Sequence, residues 1–167
     1  RDMETALLSN VAKAAGDAST ARKLGGAPTW FETNVDAGAG GSGAGNGAIR
    51  TDGTQRAFTE TQLKGILVKC YNQGGNPNMI MVNAFNKQKL SGFTGGSTRF
   101  DAAEDRRLIT SIDVYESDFG TMQVAPNRFI RGANATAAKI GQDAHVLDME
   151  YWAVSFLRDF SLQTPAQ

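Results

Sequence analysis

Residues 59–82 read TETQLKGILVKCYNQGGNPNMIMV, and this stretch decides the fold class. Thr59 and Gln62 stand at the Thr-x-x-Gln spacing of a capping box, in which each side chain pairs with a backbone amide that the first helical turn leaves free. Apolar residues then recur at helical spacing until Gly74 and Gly75 interrupt the pattern: Leu63, Ile66, Leu67, Cys70 and Tyr71. The pattern predicts an amphipathic helix over residues 59–74 with one buried face.

The residues after this helix predict a strand and a second helix. Met79 to Val82 form a continuous apolar run of strand length, which is typical of the middle of a sheet. Asn83 is a suitable cap for a helix that continues to about Leu90 and ends at Gly92.

Alternation further along the chain predicts a hairpin. Ile112 and Val114 alternate with polar neighbours and with Tyr115, so we expect them to share the apolar face of a strand. A turn over residues 118–120 leads to a return strand with Met122, Val124 and Pro126, and further strands are expected at 145–148 and 153–160. The sum is an α+β domain, with two helices packed on a mixed, mostly antiparallel sheet.

The N-terminal residues predict a helix from Asp2 to about Ala15, because Met3, Leu7, Leu8 and Val11 fall at helical spacings. The chain starts without an initiator methionine, and only seven residues follow the last predicted strand. We therefore expect a fragment or a processed form of a longer protein.

The most unusual segment holds six glycines within ten residues: Gly38, Gly40, Gly41, Gly43, Gly45 and Gly47. Glycine permits many backbone conformations, so such a run predicts a loop that is mobile or is ordered by a partner. Residues 38–43 also match the dinucleotide pattern Gly-x-Gly-x-x-Gly, but that site needs a helix to begin at the turn. The next predicted helix begins at Thr59, so the match is expected by accident.

Composition excludes several classes of protein. Seventeen basic residues balance seventeen acidic ones, which argues against a dedicated nucleic-acid binder. A single cysteine excludes an internal disulfide, and neither a signal peptide nor an apolar run long enough for a membrane span is present. We expect a soluble protein made in a reducing cytoplasm, with no membrane partner.

The search for catalytic or metal-binding groups identifies no site. His145 is the only histidine, so a triad would depend on it, and we expect a half-buried or surface side chain instead. Asp143 and His145 lack the second histidine or cysteine that a metal site needs. Cys70 lies on the apolar helix face, where a thiol behaves as a small hydrophobe. Neither an enzyme nor a bound cofactor is expected.

Two charged clusters have a simpler interpretation than a binding site. Glu116 and Asp118 share one strand face and could hold a cation, but solvated carboxylates at a hairpin tip are the expected interpretation. Four arginines are interleaved with acidic residues, which predicts ion pairs across a surface or an interface: Arg106, Arg107, Arg128 and Arg131.

Segments spread over nearly the whole chain resemble a family of tailed-phage major capsid proteins, also called a major head protein family. They keep a consistent order along the sequence and contain no catalytic motif. The principal segments are Glu4–Asn10, Ala27–Trp30, Asp52–Glu60, Gly74–Pro77, Phe85–Lys89, Ser91–Gly95, Ile112–Gly120, Pro126–Phe129 and Asp148–Val154.

The resemblance implies the coat fold shared by tailed phages, herpesvirus floor domains and encapsulin shells. Residues 1–25 would then be the end of the spine helix and a linker. Residues 26–167 would be an axial-domain core, with the two helices beside its sheet and a glycine-rich loop at 36–56. On this resemblance, we expect the family's N-terminal arm, its extended loop, most of its spine helix and its final peripheral strand to lie outside these residues.

The same resemblance implies a structural role in the virion. Copies would assemble into pentamers and hexamers of an icosahedral shell around double-stranded DNA, with scaffold and portal proteins as possible partners, first in the host cytoplasm. We expect subunit contacts in the loops that carry Gly38–Gly47 and residues 132–142, and at Arg128 and Arg131. Two alternatives stay open: an encapsulin-like compartment with an enzyme cargo, and a small enzyme that binds a nucleotide at residues 38–43.

Overall fold

The computed structural model describes residues 2–93, 114–130 and 143–155. Three helices lie in these ranges: α1 (Asp2–Leu8), α2 (Glu60–Asn72) and α3 (Ala84–Ser91). The four strands are β1 (Met79–Val82), β2 (Val114–Ser117), β3 (Gly120–Pro126) and β4 (Ala144–Leu147). Short 3-10 turns cover Ala27–Trp30 and Met149–Tyr151.

The capping box at the start of α2 is confirmed. The Thr59 hydroxyl accepts the Gln62 amide at 3.4 Å, and Gln62 Oε1 accepts the Thr59 amide at 3.1 Å. Leu63 and Leu67 are fully buried, whereas Tyr71 is 60% exposed, so the prediction that it belongs to the buried face is wrong. Its position lies past the edge of the apolar stripe, and its ring packs on an aromatic side chain of the β2–β3 turn.

The sheet has the order β2-β3-β1-β4. The central strand β1 pairs parallel with β3 and antiparallel with β4, and β2 pairs antiparallel with β3. Ile80 therefore lies between Val124 and Val146 in adjacent strands. The prediction of a mixed, mostly antiparallel sheet is confirmed.

The core lies between one face of the sheet and the helices α2 and α3. Leu63 and Leu67 from α2 and Leu90 from α3 pack with side chains of three strands: Ile80, Val82, Tyr115, Met122 and Val124. The cap of α3 is also as predicted, since the Asn83 side chain accepts the Asn86 amide at 2.8 Å. Within the described ranges, no helix is both long and apolar enough to cross a membrane.

Helix α1 is shorter than predicted, because it ends at Leu8 and not near Ala15. The residues that follow form backbone hydrogen bonds with distant segments and not with the preceding helical turn. The Lys13 amide donates to the carbonyl of Gly47 at 2.8 Å, and Ala14 forms a β-bridge with Lys23. Tertiary hydrogen bonds thus override the helical periodicity of residues 9–15.

The predicted faces and ends of two strands also need correction. In β2, Tyr115 is 5% exposed and Val114 is 56% exposed, because Tyr115 lies opposite the buried Met122. Ile112 lies outside the described residues. The strand predicted at 145–148 ends at Leu147, and Asp148 caps a 3-10 turn instead. Residues 153–155 are not in a strand, and residues 156–160 lie outside the described ranges.

Candidate assembly surfaces and the cavity beside strand β4

The glycine-rich segment 38–47 has a defined path that its own chain fixes. The Ala44 amide donates to the Phe31 carbonyl at 3.0 Å, and the Gly47 amide donates to the Thr29 carbonyl at 3.1 Å. Ser42 and Thr51 form a two-way backbone bridge. The segment was predicted to be mobile or ordered by a partner, but hydrogen bonds to other parts of the same chain hold it instead.

Each of the six glycines is favoured for one of two reasons. Gly38, Gly40, Gly45 and Gly47 have φ between +71° and +80°, which residues with a Cβ rarely adopt. Gly41 and Gly43 have ordinary φ but are crowded. A Cβ at Gly43 would lie 2.5 Å from the Phe31 carbonyl oxygen.

Gly40 forms the open tip of the segment. A Cβ there would meet no atom within 4 Å, and Ala39 and Gly40 are both exposed. Between Gly43 and Glu60, a range that the structure describes throughout, no helix begins. The loop thus lacks the helix N-terminus that a Gly-x-Gly-x-x-Gly pyrophosphate site uses.

The predicted contact arginines lie elsewhere in the fold. Arg128 is exposed in the turn after β3, where the Phe129 amide donates to Asn127 Oδ1 at 2.8 Å. Arg131, Arg106 and Arg107 lie outside the described residues, as does the loop 132–142. Glu116 and Asp118 are exposed, and the described part of the chain contains no group of three residues suited to hold a metal ion.

A partly buried ion cluster that the sequence does not predict joins the glycine-rich segment to the start of β4. Arg50 Nη2 lies 2.6 Å from Asp143 Oδ2 and 3.0 Å from Asp52 Oδ1. The Asn10 side chain holds the backbone of Arg50, because it accepts the Arg50 amide at 3.1 Å and donates to the Arg50 carbonyl at 3.2 Å. Three segments far apart in the sequence therefore meet at Arg50.

His145 lies beside this cluster and is 4% exposed, so the prediction of a half-buried or surface histidine is wrong. Its ring packs on Phe31, with the ring centroids 5.7 Å apart. Burial, with a smaller contribution from the Arg50 charge, lowers the pKa of His145 to about 4, so the ring is neutral at pH 7. Burial raises the pKa of Asp143 to about 6, although Arg50 opposes that shift.

A cavity of about 400 Å³ opens at the edge of the sheet, between β4, helix α2 and the segment 31–58. The ion cluster and His145 line one side, and Leu63, Ile66 and Cys70 line the other. Two polar atoms in its wall are buried without a hydrogen-bond partner among the described residues: Asn34 Oδ1 and His145 Nε2.

Several large apolar side chains are exposed on the described surface. Tyr71 packs on Phe119 with the ring centroids 4.8 Å apart, and Val68 is 41% exposed on the same helix. A second group follows β4 and consists of Met149, Tyr151, Trp152 and Val154. Exposed apolar patches of this kind mark sites where a protein meets other proteins.

Comparison with known proteins identifies the family. All 167 residues match the family model described as SU10 major capsid protein, and no curated protein is significantly similar to the chain. The match confirms the resemblance to phage major capsid proteins, and the α+β architecture is compatible with a phage capsid domain. The chain therefore belongs to the SU10 major capsid protein family and is a major capsid subunit of a phage virion.

Proposed function

We propose that copies of this protein assemble into a closed icosahedral shell, with pentamers and hexamers as its units, around the double-stranded DNA genome. The family match over the whole chain carries this proposal. Closed symmetry repeats each modest subunit contact many times, so a shell does not need any single large interface. The work of the protein is then assembly, and no catalytic step is assigned to it.

The charge balance of the chain supports this role. The formal net charge is zero, so long-range repulsion between copies is small. The same balance leaves no basic excess for tight binding to phosphates. The DNA would therefore be enclosed without sequence-specific recognition.

Two surfaces are our candidates for subunit contacts. The first is the tip of the glycine-rich segment at Ala39 and Gly40, which is exposed on a backbone that in-chain hydrogen bonds already hold in place. A preformed loop loses little conformational entropy when it meets a neighbour. The second is the Tyr71–Phe119 pair, since exposed aromatic side chains are enriched at protein interfaces. Arg128 stays a candidate because of its exposure, and Arg131 stays a prediction from the sequence alone.

Sedimentation and negative-stain microscopy of the whole capsid protein test assembly. We expect closed particles of uniform diameter that sediment far ahead of the free subunit. A folded protein that stays monomeric, alone and with its scaffold protein, would contradict the proposal.

Cysteine footprinting tests the loop contact. Ala39→Cys in a Cys70→Ser background should react with maleimide at least ten times more slowly in shells than in free subunits. Ala15→Cys, on an exposed turn that is not a predicted contact, serves as the comparison. Equal rates at position 39 in shells and subunits would remove this loop from the contacts.

A further inference from the structure

The cavity beside β4 has the features of a binding site, and no side chain of the described residues fills it. Its volume of about 400 Å³ falls within the range of roughly 300–1,000 Å³ that is usual for ligand sites. Its wall has an apolar side on α2 and a polar side on β4, so it suits a group with an apolar stem and a polar tip.

The charges in the cavity wall favour a cation. Four carboxylates line it, from Asp36, Asp52, Asp143 and Asp148, against the two guanidinium groups of Arg50 and Arg56. Arg56 is paired with Asp36, and Arg50 is shared between Asp52 and Asp143. One guanidinium thus serves two partly buried carboxylates, which leaves an excess of negative charge where desolvation makes it costly.

Two residues that line the cavity each carry a buried polar atom, which adds to the polar character of this wall. His145 is only 4% exposed, and its Nε2 has no hydrogen-bond partner among the described residues. Asn34 Oδ1 is also a buried atom without a hydrogen-bond partner among the described residues. A neutral imidazole nitrogen and an amide oxygen can both accept hydrogen bonds, and a buried acceptor without a donor costs about 1–3 kcal/mol.

Arginine and lysine side chains match the lining and the charge of this cavity. Their methylene stems pack on apolar surface while their charged ends donate several hydrogen bonds, and they carry the missing positive charge. A bare metal ion fits less well, because no group of three suitable ligands exists among the described residues. In a shell, the protein that lies against every subunit is another copy of the same chain.

We propose that this cavity receives an arginine or lysine side chain from a second copy of the chain. The proposal rests on the assembly function proposed above and adds a specific contact to it. The guest would bring its charge toward Asp52 and Asp143 and lay its stem along Ile66 and Cys70.

The single cysteine provides a direct probe, because Cys70 is half-buried and lines the cavity. Burial raises the pKa of its thiol, so iodoacetamide is applied at pH 8.5. On free subunits, millimolar n-propylguanidinium should slow alkylation of Cys70, and the neutral analogue n-propylurea should not. Asp143→Asn and, independently, Asp52→Asn should abolish this protection, whereas Asp118→Asn, on an exposed turn, should keep it.

The shell itself gives the deciding comparison. We expect alkylation of Cys70 to be at least ten times slower in assembled shells than in free subunits. Equal rates in shells and subunits would overturn the cavity proposal and leave the assembly function standing, whereas failure to form shells counts against the assembly function. Equal protection by propylguanidinium and propylurea would also overturn the proposal, because the cavity would then not select a cation.

Discussion

Arg50 Nη2 lies 2.6 Å from Asp143 Oδ2, and 93 residues separate the two in the sequence. This contact ties the segment after the glycines to the start of β4, which is an edge strand of the sheet. An uncovered edge strand invites pairing with other chains. The Arg50 cluster thus helps to hold the glycine-rich region beside an edge that would otherwise be open.

Replacement of Arg50 by methionine should destabilise the protein by about 2–3 kcal/mol, less than the loss of one partner of a fully buried ion pair. The side chain is 12% exposed, and its loss leaves Asp52 and Asp143 as partly buried carboxylates without their counter-charge. Urea denaturation followed by circular dichroism measures the change. Arg56→Gln is the matched control, since the Arg56–Asp36 pair is exposed and should be worth under about 1 kcal/mol. Equal losses for the two variants would contradict the structural role of Arg50.

The pH dependence of stability should show two opposing contributions. The pKa of His145 falls from 6.5 to about 4 on folding, so its contribution to stability is lost as the pH drops from 6.5 to 4. The pKa of Asp143 rises from 3.8 to about 6, so the folded state takes up its proton first and gains stability as the pH drops from 6 to 3.8. Each contribution is roughly 3 kcal/mol, and the two largely cancel between pH 6 and pH 4.

Asp143→Asn separates these two contributions. Without the carboxyl group, stability should fall by roughly 3 kcal/mol more than in the parent protein between pH 6.5 and pH 4, because only the His145 contribution remains. His145→Leu should show the opposite difference, with a gain over the parent as the pH falls. Denaturation curves at a series of pH values measure the stability of the parent protein and of both variants. Parallel pH profiles for all three proteins would contradict the opposing contributions of His145 and Asp143.

Alanine substitutions should separate crowded glycines from open ones. A Cβ at Gly53 would clash with the backbone carbonyl of Ala37, so Gly53→Ala should cost about 2–3 kcal/mol. Gly65 lies in α2 with no atom within 4 Å of an added Cβ, so Gly65→Ala should instead gain about 0.5–1 kcal/mol. Thermal denaturation of the two variants measures the loss and the gain of stability. An unchanged stability for Gly53→Ala would mean that Gly53 does not lie against Ala37 as in this structure.

Tyr71→Gln should lower the yield of shells several-fold while it changes the free energy of unfolding by about 1 kcal/mol or less. The ring is 60% exposed and packs on Phe119, so it contributes little to the core but offers a ready surface to a neighbour. Gln88→Ala, at an exposed position on α3, is the control. Particle counts and melting curves together measure the effect, and unchanged yields would exclude Tyr71 from the contacts.

Local patterns predicted the elements that local forces build. The capping box at Thr59, the cap at Asn83 and the apolar run of β1 all depend on residues within a few positions of each other, and each is confirmed. The Ser117–Gly120 hairpin closure also follows from neighbouring residues. These signals needed no knowledge of distant contacts.

Long-range contacts account for the wrong predictions. Residues 9–15 have helical spacing but form no helix, because Asn10 binds Arg50, 40 residues away, and Lys13 binds Gly47, 34 residues away. Glycine content suggested mobility, although in-chain hydrogen bonds fix the loop. Nothing in the local sequence marks Arg50 as the partner of Asp143, so the ion cluster and the burial of His145 could not be predicted.

The most direct test of the central claim is a cryo-electron microscopy reconstruction of particles formed by the whole capsid protein. We predict a closed shell with icosahedral symmetry, in which residues 38–47 follow the same backbone path as in the single subunit and the Gly40 tip touches a neighbouring copy. A particle without closed symmetry, or a shell in which this tip faces only solvent, would contradict the account.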